Sequence, residues 1–298
     1  MVKIGLFLSY KWGKTTFERL VEDQNIEIKF VCLRGDEDTE EFQSDLKRQQ
    51  IPFYKYKNIN TYEFIKKIKN HGCDIFVSFG FNQIFKKEVL QINPSRFINC
   101  HPGKLPFYRG RNVLNWCLIN DEKELGITVH FIDEGIDTGD IILQHMFPIT
   151  DDDEYETLLN KTYEKSPELI LEAIAMICCH KDMTVIKQND IHPLGFYCGA
   201  REKGDEIIDW NQTSREVFNF IRAISKPGPM AQSFINGKEI RINKTKIIPN
   251  APTYKGIPGQ IIGVTLNGFA VKTKDSTLEI VDYEFNGKVK TGDRLKSF

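Results

Sequence analysis

Residues 74–81, DIFVSFGF, are the stretch from which the fold can be worked out. An almost unbroken apolar run of this length is typical of a strand that is covered on both faces of a parallel sheet. Similar runs precede it at 2–9 (VKIGLFLS) and 26–33 (IEIKFVCL), and another follows it at 95–100 (SRFINC). The first 100 residues therefore contain several predicted parallel strands.

Helix-compatible segments separate these strands at 15–24, 37–50 and 61–72, and the last of them ends on Gly72, a typical helix stop. Parallel strands need crossover connections, and helices are the usual ones. The pattern predicts an α/β fold: a Rossmann-like, mostly parallel sheet with helices on both faces.

The remainder of the chain divides near residue 205. A strand pair is predicted at 126–132 and 141–149, followed by a helix over 151–180 that Pro167 divides or kinks. Beyond 205 come a helix-like segment and then short alternating runs, with Asn-Gly pairs that predict hairpins at 236–237, 267–268 and 286–287. We predict a first domain over 1–204, and a C-terminal domain over 205–298 that combines a linking helix with a small β-barrel-like part.

The overall charge is almost balanced. Lys and Arg number 40 against 41 Asp and Glu among 298 residues, which favours a small-molecule partner over a long nucleic acid. No apolar run reaches the length of a membrane span, and the N-terminus is typical of a strand rather than of a signal peptide. Seven cysteines without a C-x-x-C pair predict reduced thiols and a cytoplasmic location.

The loop after the first strand contains WGKTT at 12–16 but fails as a nucleotide-triphosphate motif. That motif needs another glycine five positions before Gly13, where Leu8 stands. No G-x-G-x-x-G follows this strand, and no His/Cys cluster predicts a metal site. Because open α/β sheets bind ligands at strand carboxyl ends, Tyr10 and Trp12 are candidate ligand contacts, with a solvated loop as the alternative.

Asn99 and His101 end a predicted strand. Being one residue apart in an extended chain, they lie on the same face, whereas Cys100 points away from both. An imidazole can move a proton, and a primary amide can donate to an oxygen that becomes negative in a transition state. The alternative is an ordinary turn built from the Pro and Gly that follow.

An acidic, glycine-rich turn lies between the two later strands, in HFIDEGIDTGDIILQ at 130–144. A carboxylate near an imidazole orients it and stabilises its charged form, so an Asp from this turn would complete an acyl-transfer site with Asn99 and His101. His130, next to the turn, is a candidate for a supporting role. A solvated turn is the alternative.

The spacing N-x-H-P-x-x-L-P-x-Y-R-G over 99–110, with an Asp in G-I-D-T-G-D 36 residues after His101, resembles the N10-formyltetrahydrofolate-dependent formyltransferases. The resemblance is clearest over 74–145. It implies the folate as co-substrate, no metal, and the catalytic residues Asn99, His101 and Asp137. It also implies a folate pocket whose walls are formed by two further groups of residues: Phe81, Asn82, Gln83 and Ile84 on one side, Asp133 and Gly135 on the other.

The run from Tyr108 to Gln144 is most similar to sugar N-formyltransferases. That similarity implies formyl transfer to the amine of a nucleotide-linked amino-deoxy sugar, expected to be a dTDP sugar, for surface polysaccharide such as the O-antigen of lipopolysaccharide. The residues expected to contact this acceptor are Tyr10, Trp12, Lys104, Tyr108, Arg109 and Arg111, although Arg109 is also suited to pinning its loop by pairing with a carboxylate.

Other members of the family remain alternatives. Methionyl-tRNA formyltransferase has a similar two-domain plan and a phrase like IRAISKPGPMA (221–231), but it is expected to carry basic surface. The purine-pathway enzyme matches poorly, because SYKWGKTT (9–16) replaces its phosphate loop. A non-catalytic folate-binding module and a formate-releasing hydrolase also stay open. So do the nucleotide base, the amine position (C3 or C4) and the oligomeric state, with a homodimer as one option.

Overall fold

The computed structural model describes residues 1–179 and 183–297, apart from the side chain of Cys179. Its first sheet has seven strands: β1 (Val2–Leu8), β2 (Ile26–Leu33), β3 (Phe53–Lys55), β4 (Ile75–Phe79), β5 (Phe97–His101), β7 (Glu124–Phe131) and β8 (Ile141–Pro148). Their order is β3-β2-β1-β4-β5-β7-β8. Neighbours from β3 to β5 are parallel, whereas β7 runs antiparallel to β5. The predicted, mostly parallel sheet is confirmed.

Two short strands, β6 (Arg109–Gly110) and β9 (Tyr197–Cys198), pair separately with each other.

Helices cover both faces of this sheet. They are α1 (Tyr10–Glu22), α2 (Glu40–Arg48), α3 (Tyr62–Lys69), α4 (Lys87–Leu90) and α6 (Tyr155–Cys179). A short helix α7 (Gln188–Ile191) follows, and α5 (Val113–Ile119) belongs to the second unit defined below. Ile4, Leu6 and Leu8 of β1 belong to a core shared with α1, α2 and α6. Phe7 of the same strand belongs to a second core, shared with α3 and α4. Strand alternation thus separates two apolar layers, as predicted.

Two helices differ from the sequence prediction. Helix α1 begins at Tyr10, directly after β1, where a loop was expected. Gly13 permits this tight turn, because a Cβ there would lie 2.7 Å from the Leu8 side chain. Helix α6 is not divided at Pro167, because its buried face, including Ile170 and Ile174, packs into the core and outweighs the lost hydrogen bond, whereas the kink at Pro167 stays a prediction. No helix in the described part of the chain is long and apolar enough to cross a membrane.

A second sheet of six strands has the order β12-β13-β14-β11-β10-β15. The strands are β10 (Ala231–Ile235), β11 (Lys238–Ile247), β12 (Ile261–Val264), β13 (Phe269–Lys272), β14 (Thr277–Phe285) and β15 (Leu295–Lys296), preceded by α8 (Ser214–Ala223). A bridge between Gln260 and Arg294 joins the two edges of this sheet. The barrel-like C-terminal part is therefore confirmed.

The Asn-Gly pairs behave differently from one another. Asn236 and Gly237 both have positive φ and join the paired strands β10 and β11, and the 267–268 pair lies between β12 and β13. The hairpin expected at 286–287 is wrong: β15 pairs with β10 rather than with β14. Asn286-Gly287 does follow the end of β14, but the strand after it closes the barrel by pairing with β10.

The chain forms two compact units that do not follow a single cut in the sequence. The first comprises Met1–Gly110, Gly126–Phe147 and Asn160–Tyr197. The second comprises Arg111–Leu125, Pro148–Leu159 and the chain from Cys198 onward. The boundary at 204/205 stays a prediction.

Candidate active site

Strand β5 presents two polar side chains at its carboxyl end. Ile98 and Cys100 point into one core, where burial raises the pKa of the Cys100 thiol to about 12, so this thiol is not a nucleophile. Asn99 and His101 point to the other face, as the alternation predicted. On the neighbouring strand β7, His130 is the register partner of Asn99.

The carboxylate of Asp137 meets these side chains. Its Oδ1 lies 3.4 Å from Asn99 Nδ2 and 3.6 Å from His130 Nε2, and its Oδ2 lies 3.5 Å from His101 Nδ1. The backbone N–H of Gly110 donates to Oδ2 at 2.9 Å. The three residues that the sequence analysis selected for catalysis therefore lie together, within one compact unit.

Asp137 is ionised in this environment. Burial by itself would raise its pKa, but His101 and His130 in their protonated forms and the hydrogen bond from Gly110 hold the pKa of the carboxyl well below its ordinary value. A negative charge therefore faces the two imidazoles throughout the neutral pH range.

Hydrogen bonds select the histidine tautomers. Nε2 of His101 donates to the Tyr108 carbonyl at 2.7 Å, so Nδ1 carries the lone pair in the neutral ring and faces Asp137. Nδ1 of His130 donates to the Phe131 carbonyl at 2.7 Å, which leaves Nε2 to accept from Asn99 Nδ2 at 3.2 Å. A proton that arrives on Nδ1 of His101 is stabilised by the carboxylate, so the pair can take up a proton.

His130 is a full member of this cluster, although the sequence suggested only a supporting role. The signal that could have identified it is the register between GITVHFI and FINCH, which sequence periodicity alone does not provide. Among the described residues, no group of three or more His, Cys, Asp or Glu side chains is arranged to hold a metal ion.

Arg109 is buried at 8% exposure rather than presented to solvent. Its Nε and Nη2 donate to Gln188 Oε1 at 3.0 and 2.6 Å. The pinning partner is thus an amide 79 residues away and not a carboxylate. Nothing in the local sequence pointed to Gln188.

The other predicted acceptor contacts that follow β5 differ in how far they are buried. Tyr108 is buried, has a φ of +57°, and packs its ring edge-on against Phe196 at 4.8 Å. Lys104 is half-buried, and its backbone packs so closely on Gly126 that a Cβ there would be 2.7 Å from the Lys104 Cα. Arg111 is exposed and belongs to the second unit.

Two polar side chains of the predicted folate loops, Gln83 and Asp133, make hydrogen bonds within the protein. Gln83 accepts from the Ile59 N–H at 3.0 Å and donates to the Tyr56 carbonyl at 2.8 Å. Asp133 accepts from Gly135 N and Thr138 Oγ1, at 3.0 and 2.6 Å, and so shapes its own turn.

The rest of the upstream loop is partly exposed. Phe81 packs edge-on against Phe7 at 5.4 Å, whereas Asn82 is exposed and Ile84 is 52% exposed. Because Gln83 and Asp133 are bound internally, the two loops offer a ligand backbone amides, apolar surface and the exposed amide of Asn82.

Tyr10 and Trp12 lie in the first turn of α1. The Tyr10 hydroxyl donates to Glu41, and its backbone N–H donates to Glu37 Oε2 at 2.6 Å. The Trp12 ring packs edge-on against Phe79 and Tyr163, at 5.9 and 5.3 Å. A carboxylate of the chain itself therefore lies at the helix N-terminus where an anionic ligand could have bound.

Comparison with known proteins gives two matches in chain order. A family model described as formyl transferase matches residues 18–174, and one described as formyl transferase, C-terminal domain, matches residues 201–293. The methionyl-tRNA formyltransferase of Clostridium acetobutylicum is 31% identical over 297 residues, which cover 97% of this chain and 93% of that protein.

Two solved structures share the fold over nearly their whole length. The sugar 3N-formyl transferase WlaRD, solved in the presence of dTDP and 5-N-formyl-THF, has a TM-score of 0.71 at 23% identity, covering 97% of this chain and 99% of that one. The N-formyltransferase of Helicobacter canadensis, in complex with folinic acid and dTDP-3-aminofucose, has a TM-score of 0.69 at 22% identity, covering 95% and 100%. At these identities the likeness concerns the fold.

Proposed function

The chain belongs to the formyl transferase family, and we propose that this formyltransferase moves a formyl group from N10-formyltetrahydrofolate to the amine of a nucleotide-linked amino-deoxy sugar, expected to be a dTDP sugar. The observation that carries the proposal is the cluster of Asn99, His101, His130 and Asp137 at the carboxyl end of β5. It combines a neutral donor, an ionised carboxylate and an imidazole that can accept a proton.

Asn99 supplies the donor for the developing negative charge. When bound, N10-formyltetrahydrofolate supplies the formyl group whose carbon the amine attacks. Of the two contacts of Asn99 Nδ2, the one to Asp137 is the longer, at 3.4 Å, and is the one that the formyl oxygen would replace. His130 fixes the other N–H and so orients the amide.

His101 and Asp137 take up the proton that the amine loses on becoming an amide. Nδ1 of His101 is the acceptor, because its Nε2 is already bonded to the Tyr108 carbonyl. Asp137, 3.5 Å from Nδ1, stabilises the resulting imidazolium. The departing folate nitrogen regains a proton from the same pair, so the proton count balances.

The two loops around the predicted folate pocket fit a flat heteroaromatic ring with amide-like edges. Gln83 and Asp133 hold the loop backbones in shape. Backbone N–H and C=O groups are then available to pair with such a ring, and Ile84 and Ile136, 52% and 47% exposed, offer apolar contact. We propose that these loops hold the folate.

For the acceptor, the sugar assignment is supported by the resemblance over 108–144 and by structural neighbours that were solved with dTDP or a dTDP sugar. Glu37 at the N-terminus of α1 disfavours a phosphate at that point, so the nucleotide would be held elsewhere. We propose Lys104, in the first unit, as a nucleotide contact because its cationic group suits a phosphate, and Arg111, in the second unit, as a separate candidate of the same charge. Five cysteines are free thiols, which fits a cytoplasmic enzyme: Cys32, Cys73, Cys100, Cys117 and Cys198.

Methionyl-tRNA is the second candidate acceptor. The distribution of charge along the chain favours it more than the net charge of the whole chain does. Residues 205–298 carry 14 Lys and Arg against 10 Asp and Glu, whereas residues 1–204 carry 26 against 31. The near-neutral total therefore hides a basic C-terminal part, which would suit a nucleic acid. The 31% identity to a methionyl-tRNA formyltransferase points the same way.

The decisive experiment incubates the enzyme with N10-formyltetrahydrofolate and, separately, a panel of dTDP- and UDP-linked 3-amino and 4-amino sugars and charged initiator methionyl-tRNA. Formylated product is measured by mass spectrometry, with Asn99→Ala as the inactive control. We expect formylation of one amino sugar. Formylated tRNA with untouched sugars would overturn the sugar assignment and leave the family chemistry in place.

Two further outcomes would contradict transfer itself. Folate binding without any formyl product would favour a binding module, and free formate without an acceptor product would favour a hydrolase. Binding of the folate is measured by calorimetry in the same buffers, so that loss of folding is not mistaken for either outcome.

A further inference from the structure

Gln188 joins two parts of the active site without belonging to the catalytic cluster. Its Nε2 donates to the carbonyls of Asp137 and Gly139, at 2.8 Å each. Its Oε1 accepts both N–H groups that Arg109 directs at it. The side chain is only 3% exposed, so each of its polar atoms is satisfied inside the protein.

Arg109 lies between the two backbone groups that hold the catalytic side chains. The carbonyl of the preceding residue, Tyr108, accepts from His101, and the N–H of the following residue, Gly110, donates to the Asp137 carboxylate. The Arg109 side chain on Gln188 completes a closed ring of contacts. This ring holds Asp137 through its carboxylate at one end and through its backbone carbonyl at the other.

Asp137 needs such support because of its backbone. Its φ of +54° lies in the left-handed region, which is unfavourable for a non-glycine residue and persists where surrounding contacts enforce it. Gly139, two residues on, approaches the Phe131 carbonyl so closely that a Cβ would lie 1.9 Å from it. The turn is thus tightly constrained, and Gln188 binds the carbonyls at both of these positions.

We infer that Gln188, together with Arg109, is a positioning residue for formyl transfer: it holds the Asp137 carboxylate in place between Asn99 and His101 without touching either substrate. Its effect on activity rests on the proposed function of Asp137. Its effect on the geometry of the turn does not.

The test is the substitution Gln188→Glu. The introduced carboxylate keeps the size of the amide and can still accept from Arg109, but it cannot donate to the two carbonyls. The matched control is Gln144→Glu. Gln144 Nε2 also donates twice near the same loop, to the Leu105 carbonyl at 3.1 Å and to Thr128 Oγ1 at 2.8 Å, but it does not contact Asp137.

We expect Gln188→Glu to lower kcat by about 30- to 100-fold with both KM values within about threefold, because a displacement of about 1 Å at a reacting group can cost that much. Gln144→Glu should stay within about threefold of the wild type in kcat. Equal losses in the two variants, or a Gln188→Glu effect confined to KM, would overturn the inference. Should Gln188→Glu fail to fold in a thermal melt, Gln188→Met removes the amide without burying a charge and is judged by the same criteria.

Amide hydrogen exchange of Gly110, followed by NMR, provides a readout that does not depend on activity. The Gly110 N–H is bonded to Asp137, so we expect faster exchange in Gln188→Glu and wild-type exchange in Gln144→Glu. Unchanged exchange in both variants would contradict the inference. A wild type without formyl transfer but with this exchange pattern would defeat the proposed function and leave the positioning role standing.

Discussion

The carboxyl ends of β1 and β5 lie at the same edge of one sheet, with β4 between them, and each meets a carboxylate. At the end of β1, Glu37 accepts from the Ser9 hydroxyl at 2.7 Å and from the Tyr10 N–H at 2.6 Å. At the end of β5, Asp137 faces an amide and two imidazoles. The same position in the fold therefore carries two different kinds of contact.

The difference lies in the length of the contacts and in the chemistry of the partners. The hydrogen bonds of Glu37 to Ser9 and Tyr10 are short, its ion pair with Arg34 measures 3.4 Å, and all three donors keep their protons at any ordinary pH. The contacts of Asp137 to side chains are 3.4–3.6 Å long, and two of them involve imidazole nitrogens, which can either donate or accept a proton. A short contact between fixed partners stabilises structure, whereas a long contact to titratable partners can be exchanged for a substrate or a proton.

The strongest test of this contrast is the loss of charge at each end. Asp137→Asn should lower kcat for formyl transfer by about 10²- to 10⁴-fold, because the proton acceptor loses its counter-charge. Glu37→Gln, the same change at the end of β1, should leave kcat within about threefold. Both changes in kcat are measured from the steady-state rates of the purified variants. A loss below tenfold for Asp137→Asn would contradict the role of Asp137.

Substitutions of two cationic residues, Arg111 and Lys14, give the next test. Arg111, exposed directly after β6, should contribute to binding only, so Arg111→Ala is expected to raise KM for the nucleotide sugar about tenfold with kcat unchanged. Lys14 pairs with Glu41 at 2.8 Å beside β1, and Lys14→Ala should leave this KM unaltered. A larger KM effect from Lys14 would place the nucleotide at the β1 end instead.

Glu37, which is not expected to affect kcat, should instead contribute to the stability of the fold. Glu37→Ala leaves the Ser9 hydroxyl and the Tyr10 N–H without their acceptor, so we expect a loss of about 1–3 kcal/mol in the free energy of unfolding. Urea denaturation measures this loss, with Tyr10→Phe, which keeps the backbone bond, as the milder control. An unchanged midpoint for Glu37→Ala would show that its contacts are replaced by water.

The smallest effect concerns acid pH. The folded pKa of Asp137 lies below its ordinary value of 3.8, so the stability that its ionisation provides is complete above that value and is lost as pH falls towards the folded pKa. Wild-type unfolding free energy should therefore fall more steeply below about pH 4 than that of Asp137→Asn. Parallel slopes in urea titrations from pH 5 to 3 would argue against the ionised, paired carboxylate.

Much of the fold was predictable because its determinants are local. Apolar runs located β1, β2, β4 and β5 to within a few residues, since strands buried on both faces leave a continuous signal. The start of α1 and the continuity of α6 were not predictable. The first turn of α1 is bonded to Glu37, 27 residues away, and α6 packs into a core shared with distant strands, and such contacts outweigh local propensity.

The candidate site divides in the same way. Asn99 and His101 could be paired from spacing alone, because alternation along a strand is a local rule. The link from Arg109 to Gln188 spans 79 residues, and that from Ser9 to Glu37 spans 28, so neither leaves a pattern in a short window. The assignment of Arg109 to the acceptor followed from its type and place in a loop, and the structure instead shows it buried on an amide.

The sequence by itself determined the alternating α/β plan, the shared face of Asn99 and His101, and the kinship of the chain, because each of these is written in periodicity or in fixed spacing. The family resemblance implied that Asp137 joins Asn99 and His101, and only the tertiary structure decided the other partners of the carboxylates. Glu37 accepts a hydrogen bond from the N-terminus of α1, and Asp137 faces two imidazoles. Gln188 donates to the turn that carries Asp137. The physical reason is that hydrogen bonds between distant segments depend on how strands and loops are brought together, and residue type alone does not specify that arrangement.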